Sequence, residues 1–509
     1  MFSQRIVGTF LLLFLPLFGA VADTLDVGSS FSYKTLSEAA TVATPGDVIL
    51  VHGGVYSGGE FIEELQGRPE AWISILVAPG DEVVFEGGTE AWHMSDVAYL
   101  YVRGFEFRGQ TGNGVNIDDG GSYDTPSHHI VIDECRFHDM DASGNNDLLK
   151  LSGLDSFEIQ DCQFFNGAGG GSGVDMVGCH YGLFTSNRFE NMGSNAIQAK
   201  GGTQFIRIER NVFLFCGQRS INLGGSTGLE FFRPIDAPFE AADLQVYANV
   251  FVGSTAPIAY VGSVRVDVTN NTIWLPENWV IRILQETVDP NRFASCGDNI
   301  FRNNLVVVNN QRSRDVNVGS NTRPESFLFA NNLWYNLDDP NWSGPDLPVS
   351  EANNLISQDP LLGNPDQLDF TIPINSPAVA AGDDVIVPEY DLFGNLYNSP
   401  RSIGAVEGNS PSLSIPIQQQ KQVGVQVRIY PNPTSEACQL QIILPTASKV
   451  RVRIVDMVGR ELEVLHEGEV EAGRFNLPVV LPQENGIYAV QVEVGKEKLT
   501  TPIIRLQGR

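Results

Sequence analysis

The segment from Asn145 to Gly225 decides the fold, because one short pattern occurs in it four times. The copies are Leu149-Lys150-Leu151-Ser152-Gly153, Val174-Asp175-Met176-Val177-Gly178, Ile197-Gln198-Ala199-Lys200-Gly201 and Ile221-Asn222-Leu223-Gly224-Gly225. Alternate side chains of a strand point to opposite faces, so the apolar first and third positions predict a core, and the second and fourth face outwards. The second positions are 25, 23 and 24 residues apart, which is the repeat period of a solenoid.

A second column of residues repeats in step with the first. Its clearest copy is Ile159-Gln160-Asp161-Cys162-Gln163-Phe164, and the position of Cys162 is asparagine in most other copies. The corresponding residues are Cys135, Asn187, Asn211 and Asn249, with weaker copies at Asn271, Asn304 and Asn332. Two strand columns in phase predict an all-β fold, a right-handed parallel β-helix with coils about 4.8 Å apart. We interpret the asparagines as a buried ladder of stacked amides rather than as catalytic groups.

Composition and charge indicate an exported protein. Residues 1–22 read as a signal peptide, with Arg5 before an apolar run and Ala20-Val21-Ala22 as a cleavage site. No later apolar run is long enough to span a bilayer. The formal charge of −29 makes nucleic acid a poor partner. Cys135 and Cys162, one coil apart, are expected either as buried thiols or as a disulfide between coils.

The order of segments predicts two folded parts. A short helix at Leu36 to Ala43 and a strand at Val48 to Val51 are expected to cap a β-helix domain over 23–408, whose coils run from about Trp72 to Asn332. The long step from Asn211 to Asn249 predicts a protruding loop, and 357–407 a closing segment. Residues 409–424 read as a linker. Residues 425–509 alternate between apolar and polar and predict a small antiparallel β-sandwich.

The C-terminal motifs resemble a known export signal. Tyr430-Pro431-Asn432-Pro433, Asp456-Met457-Val458-Gly459-Arg460-Glu461 and Gly486-Ile487-Tyr488-Ala489-Val490 are similar to the type A sorting domain of the type IX secretion system. The resemblance implies a bacterium of the Bacteroidota type and export through the periplasm and outer membrane. It also implies the secretion machinery as a partner and an extracellular or outer-surface location.

The outward positions of the repeated strand carry the candidate site. They include Asn116, Asp118, Lys150, Asp175, Gln198, Lys200 and Asn222. Residues 23–408 contain only three lysines, Lys34, Lys150 and Lys200, and two of them lie on this face with Asp175 on the coil between. A lysine among other charges on a partly dry surface can serve as a base. The alternative is a structural lysine–aspartate–lysine ladder that neutralises its own charges.

The strand that carries Lys200 resembles a family of enzymes. Ala196-Ile197-Gln198-Ala199-Lys200-Gly201, followed by Asn211-Val212-Phe213, looks like the lysine strand of the β-helix polysaccharide lyases that include chondroitinase B and alginate lyases. The resemblance implies Lys200 as the base that removes the C5 proton of a uronic acid and Arg219, expected just before the next strand, as acid or anion clamp. It also implies calcium, although Gly193 and Asn195 stand where the family has its calcium-binding glutamates.

We therefore expect a secreted, monomeric carbohydrate-active protein that acts on a polysaccharide. The favoured activity is β-elimination on a uronate polymer, with Lys200 and Arg219 catalytic, Asn116, Asp118, Lys150, Asp175, Gln198 and Asn222 binding substrate, and Phe231 or Phe232 stacking on sugars. One alternative is a glycoside hydrolase with Asp118 and Asp175 as paired carboxylates, roughly 10 Å apart by coil spacing. Another is a glycan-binding or adhesin scaffold without catalysis.

Overall fold

The strands from Thr24–Val27 to Leu355–Ile356 form a parallel β-helix in the computed structural model. The structure describes residues 23–408, 426–430, 437–444, 447–456, 461–470, 473–481, 486–495 and 497–505. The helix has three parallel sheets, here called A, B and C, and each regular coil passes through A, B and C in turn. The coil from Leu154–Gln160 in sheet A through Gln163–Phe165 in sheet B to Ser172–Val177 in sheet C is typical. The all-β prediction is confirmed.

Each sheet is a stack of parallel strands along the solenoid axis. In spatial order, sheet A contains Thr24–Val27, Val48–Val51, Ile73–Val77, Ala98–Arg103, Ser127–Asp133, Leu154–Gln160, His180–Thr185, Arg207–Glu209, Gln245–Tyr247, Asp267–Thr269, Ile300–Arg302 and Leu328–Ala330, with Thr203–Gln204, Ala241–Ala242 and Ser263–Val264 alongside. Sheet B contains Gly54–Ser57, Val83–Glu86, Glu106–Arg108, Arg136–His138, Gln163–Phe165, Arg188–Glu190, Val212–Leu214, Val250–Val252, Thr272–Trp274, Leu305–Val308, Leu333–Asn336 and Leu355–Ile356. Sheet C contains Glu60–Glu63, Trp92–Ser95, Val115–Asp118, Leu149–Ser152, Ser172–Val177, Asn195–Lys200, Arg219–Gly224, Ala256–Val261, Ile281–Leu284 and Val316–Val318.

The core is a set of columns in which equivalent residues of successive coils stack. The inward residues of sheet B form one such column, which includes the stacked rings of Phe107, Phe137, Phe164, Phe189, Phe213 and Phe251. Their ring centroids are 4.7 to 5.1 Å apart, which is the distance between hydrogen-bonded strands. Offset stacking adds to the apolar area that these rings bury, so the repeat itself stabilises the coil spacing.

The asparagine ladder is present as predicted. Asn187, Asn211, Asn249, Asn271, Asn304 and Asn332 are all buried. The side-chain oxygen of Asn211 accepts hydrogen bonds from the backbone nitrogen of Asn187 at 2.9 Å and from its amide nitrogen at 3.0 Å, and Asn249 accepts the same pair from Asn211. The residue before each asparagine has a left-handed backbone, for example φ 59° at Ser186, and the ladder satisfies the polar groups that this turn leaves unpaired.

Asn211→Ala is expected to lower the free energy of unfolding by about 1–3 kcal/mol, because the variant leaves buried donors of Asn187 and carbonyls of Phe184 and Glu209 without partners. Urea unfolding followed by circular dichroism measures the change. Asn341→Ala, at an exposed asparagine, is the control and should stay within about 0.5 kcal/mol of the parent. Equal effects of the two substitutions would contradict a stabilising ladder.

The first coil is closed by the predicted helix. Leu36–Ala40 follows the strand Thr24–Val27 and occupies the place of a sheet C strand, next to Glu60–Glu63. Glu60 accepts a hydrogen bond from the backbone nitrogen of Ser37 at 2.8 Å, so the end of the sheet is covered rather than left open. The expectation that coils begin at about Trp72 was wrong, since parallel pairing already joins Thr24–Val27 to Val48–Val51.

The closing segment packs on the outside of sheet B. Phe370 and Ala405 contact the outward residues Leu214 and Val252, while Ile372 and Ile403 contact Leu305. Two short 3₁₀ helices, Pro324–Ser326 and Pro365–Gln367, interrupt this C-terminal part of the domain. The later strands of sheet B are therefore buried on both faces, which explains their continuous apolar sequence.

The C-terminal strands are antiparallel, as predicted. One sheet pairs Gln426–Tyr430, Ala437–Leu444 and Gly473–Val480, and the other has the order Glu461–Val470, Ser448–Asp456, Gly486–Val494 and Glu497–Arg505. Leu440 and Ile442 of the first sheet share a core with Val452 and Val490 of the second. The signal peptide 1–22 and the linker 409–424 lie outside the described residues, and the domain boundary stays a prediction.

Two further expectations concern cysteines and membranes. Cys135 and Cys162 are buried free thiols, and the backbone nitrogen of Cys135 donates to the sulfur of Cys162 at 3.4 Å. A disulfide between these two coils is therefore absent.

In the part of the chain that the structure describes, no helix is both long and apolar enough to cross a membrane.

Candidate functional site

The outward residues of sheet C form a continuous row across its ten strands. In register order the row is Phe61, His93, Asn116, Lys150, Asp175, Gln198, Asn222, Ala259, Arg282 and Asn317. We call these residues the central row. A second row lies two positions further along the strands and contains Asp118, Ser152, Val177 and Lys200. The strand alternation in the sequence therefore placed the predicted residues on one face.

Lys150 and Lys200 meet on the carboxylate of Asp175. Both amino groups bind the same oxygen, Oδ2, and the distance from the Lys200 Nζ is 3.1 Å. Lys200 stands opposite Val177, so its side chain reaches back by two positions along the strand to do this. Asp175 is only 1 % exposed because the two lysines cover it. Its predicted role in substrate binding was wrong, because the carboxylate is enclosed and paired with both lysines.

Asp147 completes the cluster and was missed from the sequence. It is buried just before the strand Leu149–Ser152, and its Oδ2 lies 3.9 Å from the Lys150 Nζ. Burial, together with the charge of Asp175, raises the pKa of Asp147 to about 6. Burial alone would lower the pKa of Lys150, but Asp175 and Asp147 outweigh it and raise this pKa. Lys150 is therefore a fixed cation at neutral pH.

Lys200 is mostly covered by its neighbours. Its side chain is 13 % exposed, and the backbone of Gly225 lies against its carbon stem, where an added Cβ would come within 3.3 Å of the Lys200 Cβ and Cδ. The loop that follows the next strand therefore encloses the stem. The amino group stays beside Asp175 on the outer face, where strand alternation predicted it.

Arg219 does not lie beside Lys200. It is the first residue of Arg219–Gly224 rather than a residue before the strand, and it pairs with Asn195, five positions before Lys200. The Cα atoms of Arg219 and Lys200 are therefore about 17 Å apart by strand geometry. The guanidinium donates to Asn222 Oδ1 at 2.9 Å and to Glu286 Oε1 at 2.8 Å. The prediction that Arg219 supports Lys200 directly was wrong.

Beyond Gln198, the next polar residue of the central row is buried, and an arginine stacked on a tryptophan follows. Asn222 is buried, since its oxygen accepts from Arg219 and its amide donates to Gly224, so its predicted contact with substrate was wrong. Two strands further, the Arg282 guanidinium lies 4.6 Å from the centre of the Trp279 ring. The Arg282 Nε donates to Asn317 at 3.1 Å. Arg282 was not predicted, because the repeat pattern had weakened at this coil.

The opposite end of the central row is polar and open. His93 Nε2 lies 2.7 Å from Asp118 Oδ2, and Asn116 donates to the same oxygen at 3.2 Å. Burial raises the pKa of Asp118, but hydrogen bonds from Ser95, the Gly120 backbone and His93 lower it overall. Asn116, Asp118 and Gln198 are partly exposed, so they remain candidates for contact with substrate. Phe61 is exposed beside His93 and was not predicted.

The protruding loop forms a wall at the carboxyl ends of the sheet C strands. Phe231 ends the 3₁₀ helix Leu229–Phe231 and is 58 % exposed, whereas Phe232 is fully buried against Phe239 and Phe293. Phe232 cannot stack on a sugar, and that prediction was wrong. Arg233 anchors the loop through two hydrogen bonds of 2.8 Å to Asp155.

The paired-carboxylate alternative is disfavoured by the surroundings of Asp175. Asp118 and Asp175 are two coils apart, and Asp118 is also two residues further along its strand, since it pairs with Ser152 and Ser152 with Val177. Their Cα atoms are therefore about 12 Å apart. The carboxylates of inverting glycosidases are about 6.5–9.5 Å apart, a range that a Cα distance does not test, so the burial of Asp175 is what disfavours this alternative. Asp175 is moreover already neutralised by the two lysines.

The residues do not fit the calcium site that the resemblance implies. Gly193 and Asn195 offer no carboxylate, and the nearby Asp147 and Asp175 already bind Lys150, Lys200 and the Ser172 backbone. Across 23–408 and the described strands after it, no group of three His, Cys, Asp or Glu side chains is placed to hold a metal ion. We derive no step through calcium.

Comparisons with known proteins agree with this architecture. Residues 92–273 match the family described as right handed beta helix region, and residues 428–505 match the secretion system C-terminal sorting domain. No curated protein compared by sequence matches the chain.

Solved structures with a similar fold include three carbohydrate-active enzymes. The pectate lyase Pel9A is 16 % identical with a TM-score of 0.50, over 77 % of this chain and 98 % of that one. The GH136 lacto-N-biosidase from Eubacterium ramulus is 12 % identical with a TM-score of 0.43, over 66 % and 67 % of the two chains. The PL6 family alginate lyase AlyGC is 13 % identical with a TM-score of 0.39, over 77 % and 60 %.

At these identities the similarity to solved structures concerns the fold alone. The matches to family models identify the β-helix region and the sorting domain. The chain is a right-handed parallel β-helix protein with a C-terminal sorting domain of the type IX secretion system, and it is exported to the cell surface or the extracellular space.

Proposed function

We propose that this protein binds an acidic polysaccharide along the outer face of sheet C and cleaves it by β-elimination, with Lys200 as the proton acceptor. The observation that carries the proposal is the meeting of Lys150 and Lys200 on one carboxylate. These are two of the three lysines in 23–408, in a chain of formal charge −29. The lysines of this domain are therefore concentrated on one face, where their amino groups can meet an anionic ligand.

The shape of the face supports a polymer as the substrate. The central row runs without interruption across ten parallel strands, and the loop anchored by Arg233 forms a wall along one side. The fold is shared with a protein whose structure is that of a pectate lyase. A long chain lying along the row would follow strands about 4.8 Å apart and meet the partly exposed members His93, Asn116, Lys150 and Gln198. Asp175, Asn222 and Ala259 are buried.

The proposed reaction assigns a separate task to each lysine. Lys150 is held protonated by Asp175 and Asp147, so it supplies a fixed positive charge near the substrate carboxylate as negative charge develops on it. Lys200 takes the proton next to that carboxylate at its Nζ. A carbon–carbon double bond then forms, the glycosidic carbon–oxygen bond breaks, and the leaving oxygen receives a proton from water.

Lys150 alone can satisfy Asp175 while Lys200 is uncharged. The Lys150 amino group binds Asp175 Oδ2 directly, so loss of the Lys200 proton does not leave the buried carboxylate without a cation. Asn116 and Gln198 flank the lysines in the central row and would bind sugar hydroxyls, with Phe231 stacking from the loop. Arg219, bound to Glu286, would hold the polymer at a neighbouring position rather than act on the reacting atoms.

Incubation of the protein with polygalacturonate, alginate and chondroitin sulfate tests the proposal. Elimination creates an unsaturated uronate end that absorbs in the near ultraviolet, and we expect this absorbance to rise with at least one polymer. New reducing ends without that absorbance would show hydrolysis instead. Binding without release of any product would leave a glycan-binding scaffold, and either outcome would overturn the elimination.

A further inference from the structure

A column of residues with left-handed backbone marks the point where each coil enters sheet A. Its members are Tyr99, His129, Ser156, Tyr181 and Phe205, with φ between 54° and 59°, followed by Asp243, Arg265 and Asp298 in later coils. The residues just before them pair in register, from Ala98 through His128, Asp155 and His180 to Gln204. The column is therefore continuous along the solenoid, and we call its first five members the aromatic column.

The left-handed position does not itself require an aromatic residue. Bulky side chains seldom adopt a left-handed backbone, and the same position holds serine, aspartate or arginine in other coils. Tyr181 is 52 % and Phe205 45 % exposed, so these rings do not fill the core. Strained residues that contribute nothing to a core are characteristic of binding surfaces.

The rings form two stacks separated by one coil. Tyr99 and His129 stack at 4.5 Å with planes 22° apart, and Trp72 meets His129 edge-on. Tyr181 and Phe205 stack at 5.0 Å with planes 10° apart. Between the two stacks the column has only the small side chain of Ser156. His129 and Tyr181 are two coils apart, so a slot of about 9.6 Å opens between them.

We propose that this slot binds a single sugar ring of an uncharged glycan, by stacking between His129 and Tyr181. Carbon atoms in contact lie about 3.5–4.0 Å apart, so one flat ring needs about 7–8 Å between its two neighbours, and the slot provides this with little excess. Ser156 at the floor would bind a hydroxyl group of the sugar, and at the edge Arg233 holds Asp155 and His180 in place.

Among the described residues, the groups around the slot supply no unpaired positive charge to attract an acidic sugar. Burial, and secondarily His128, lowers the pKa of His129 to about 4, so its ring is uncharged at neutral pH. Asp155 adds a carboxylate at the edge, which Arg233 already neutralises. The slot lies on sheet A and does not include any residue of the central row, so this binding is independent of the proposed elimination.

Native electrophoresis in gels containing hydroxyethyl cellulose, xylan, galactomannan or laminarin tests the slot. We expect at least one of these polymers to retard the full chain, and Tyr181→Ala to weaken that retardation about tenfold, because one ring face is lost. Ser156→Phe should abolish it by filling the slot while leaving both stacks in place. Phenylalanine is tolerated at this backbone conformation, as Phe205 shows.

Two controls separate the slot from other causes. Phe215 also has a left-handed backbone and is 57 % exposed, but it lies on the turn between sheets B and C, so Phe215→Ala should keep full retardation. Lys200→Ala should keep it as well. Absence of retardation in all four gels, or equal losses in Tyr181→Ala and Phe215→Ala, would overturn the proposal.

Discussion

Lys200→Ala is expected to reduce the rate of product release by a factor of about 10² to 10⁴ on any polymer that the protein cleaves, which is the usual contribution of a general base. The measurement is the initial rise in near-ultraviolet absorbance at saturating polymer. Asp175 keeps Lys150 as a partner in this variant, so the buried carboxylate is not left without a cation. The loss should therefore appear in kcat rather than as unfolding.

Lys200→Arg distinguishes a base from a fixed charge. Arginine retains the positive charge but does not give up its proton in a protein, so it can replace a lysine that only attracts the polymer and cannot replace one that takes a proton. We expect Lys200→Arg to be as inactive as Lys200→Ala. Lys34→Ala is the matched control, since Lys34 is exposed at the N-terminal cap, several coils away from Lys200. Full activity in Lys200→Ala or in Lys200→Arg would contradict the catalytic role.

Strand periodicity predicted the repeated parts of the molecule well. The core columns, the asparagine ladder and the outward position of Lys150, Asp175 and Lys200 all follow from alternation within a strand and from a period near 24 residues. These features depend on neighbours in the same strand or on the next coil. A local pattern contains enough information to place such residues.

Residues whose surroundings come from distant loops could not be predicted in this way. Phe232 is buried by Phe293, which lies in another loop about sixty positions away, so its neighbour Phe231 looked equally suitable from the sequence. Asn222 is buried by the long side chain of Arg219, which Glu286 also holds. Asp147 lies before its strand, where alternation does not define the direction of a side chain.

Asp175→Asn is expected to cost about 3–5 kcal/mol in the free energy of unfolding, because it removes the carboxylate that two largely buried amino groups share. Lys150 then keeps only the more distant Asp147, and Lys200 loses its ion pair. Urea unfolding at neutral pH measures this loss. Glu286→Gln is the control from the same face. Glu286 is paired with Arg219 but partly exposed, so its loss should cost no more than about 1 kcal/mol. If the two variants lost similar amounts of unfolding free energy, burial would not make the Asp175 ion pairs more important for stability than the exposed pair of Glu286.

The cost of Asp175→Asn should also depend on pH, through Asp147. Burial and the charge of Asp175 raise the pKa of Asp147 from 3.8 to about 6, so the folded protein holds this proton more tightly than the unfolded chain. The parent therefore loses stability, up to about 3 kcal/mol, as the pH rises from about 4 through about 6. Asp175→Asn removes one cause of the raised pKa of Asp147. The variant should therefore lose less stability than the parent as the pH rises over this range. The difference in stability between parent and variant should thus narrow from pH 5 to pH 7. A difference that widens over this range would mean that Asp147 does not respond to the charge of Asp175.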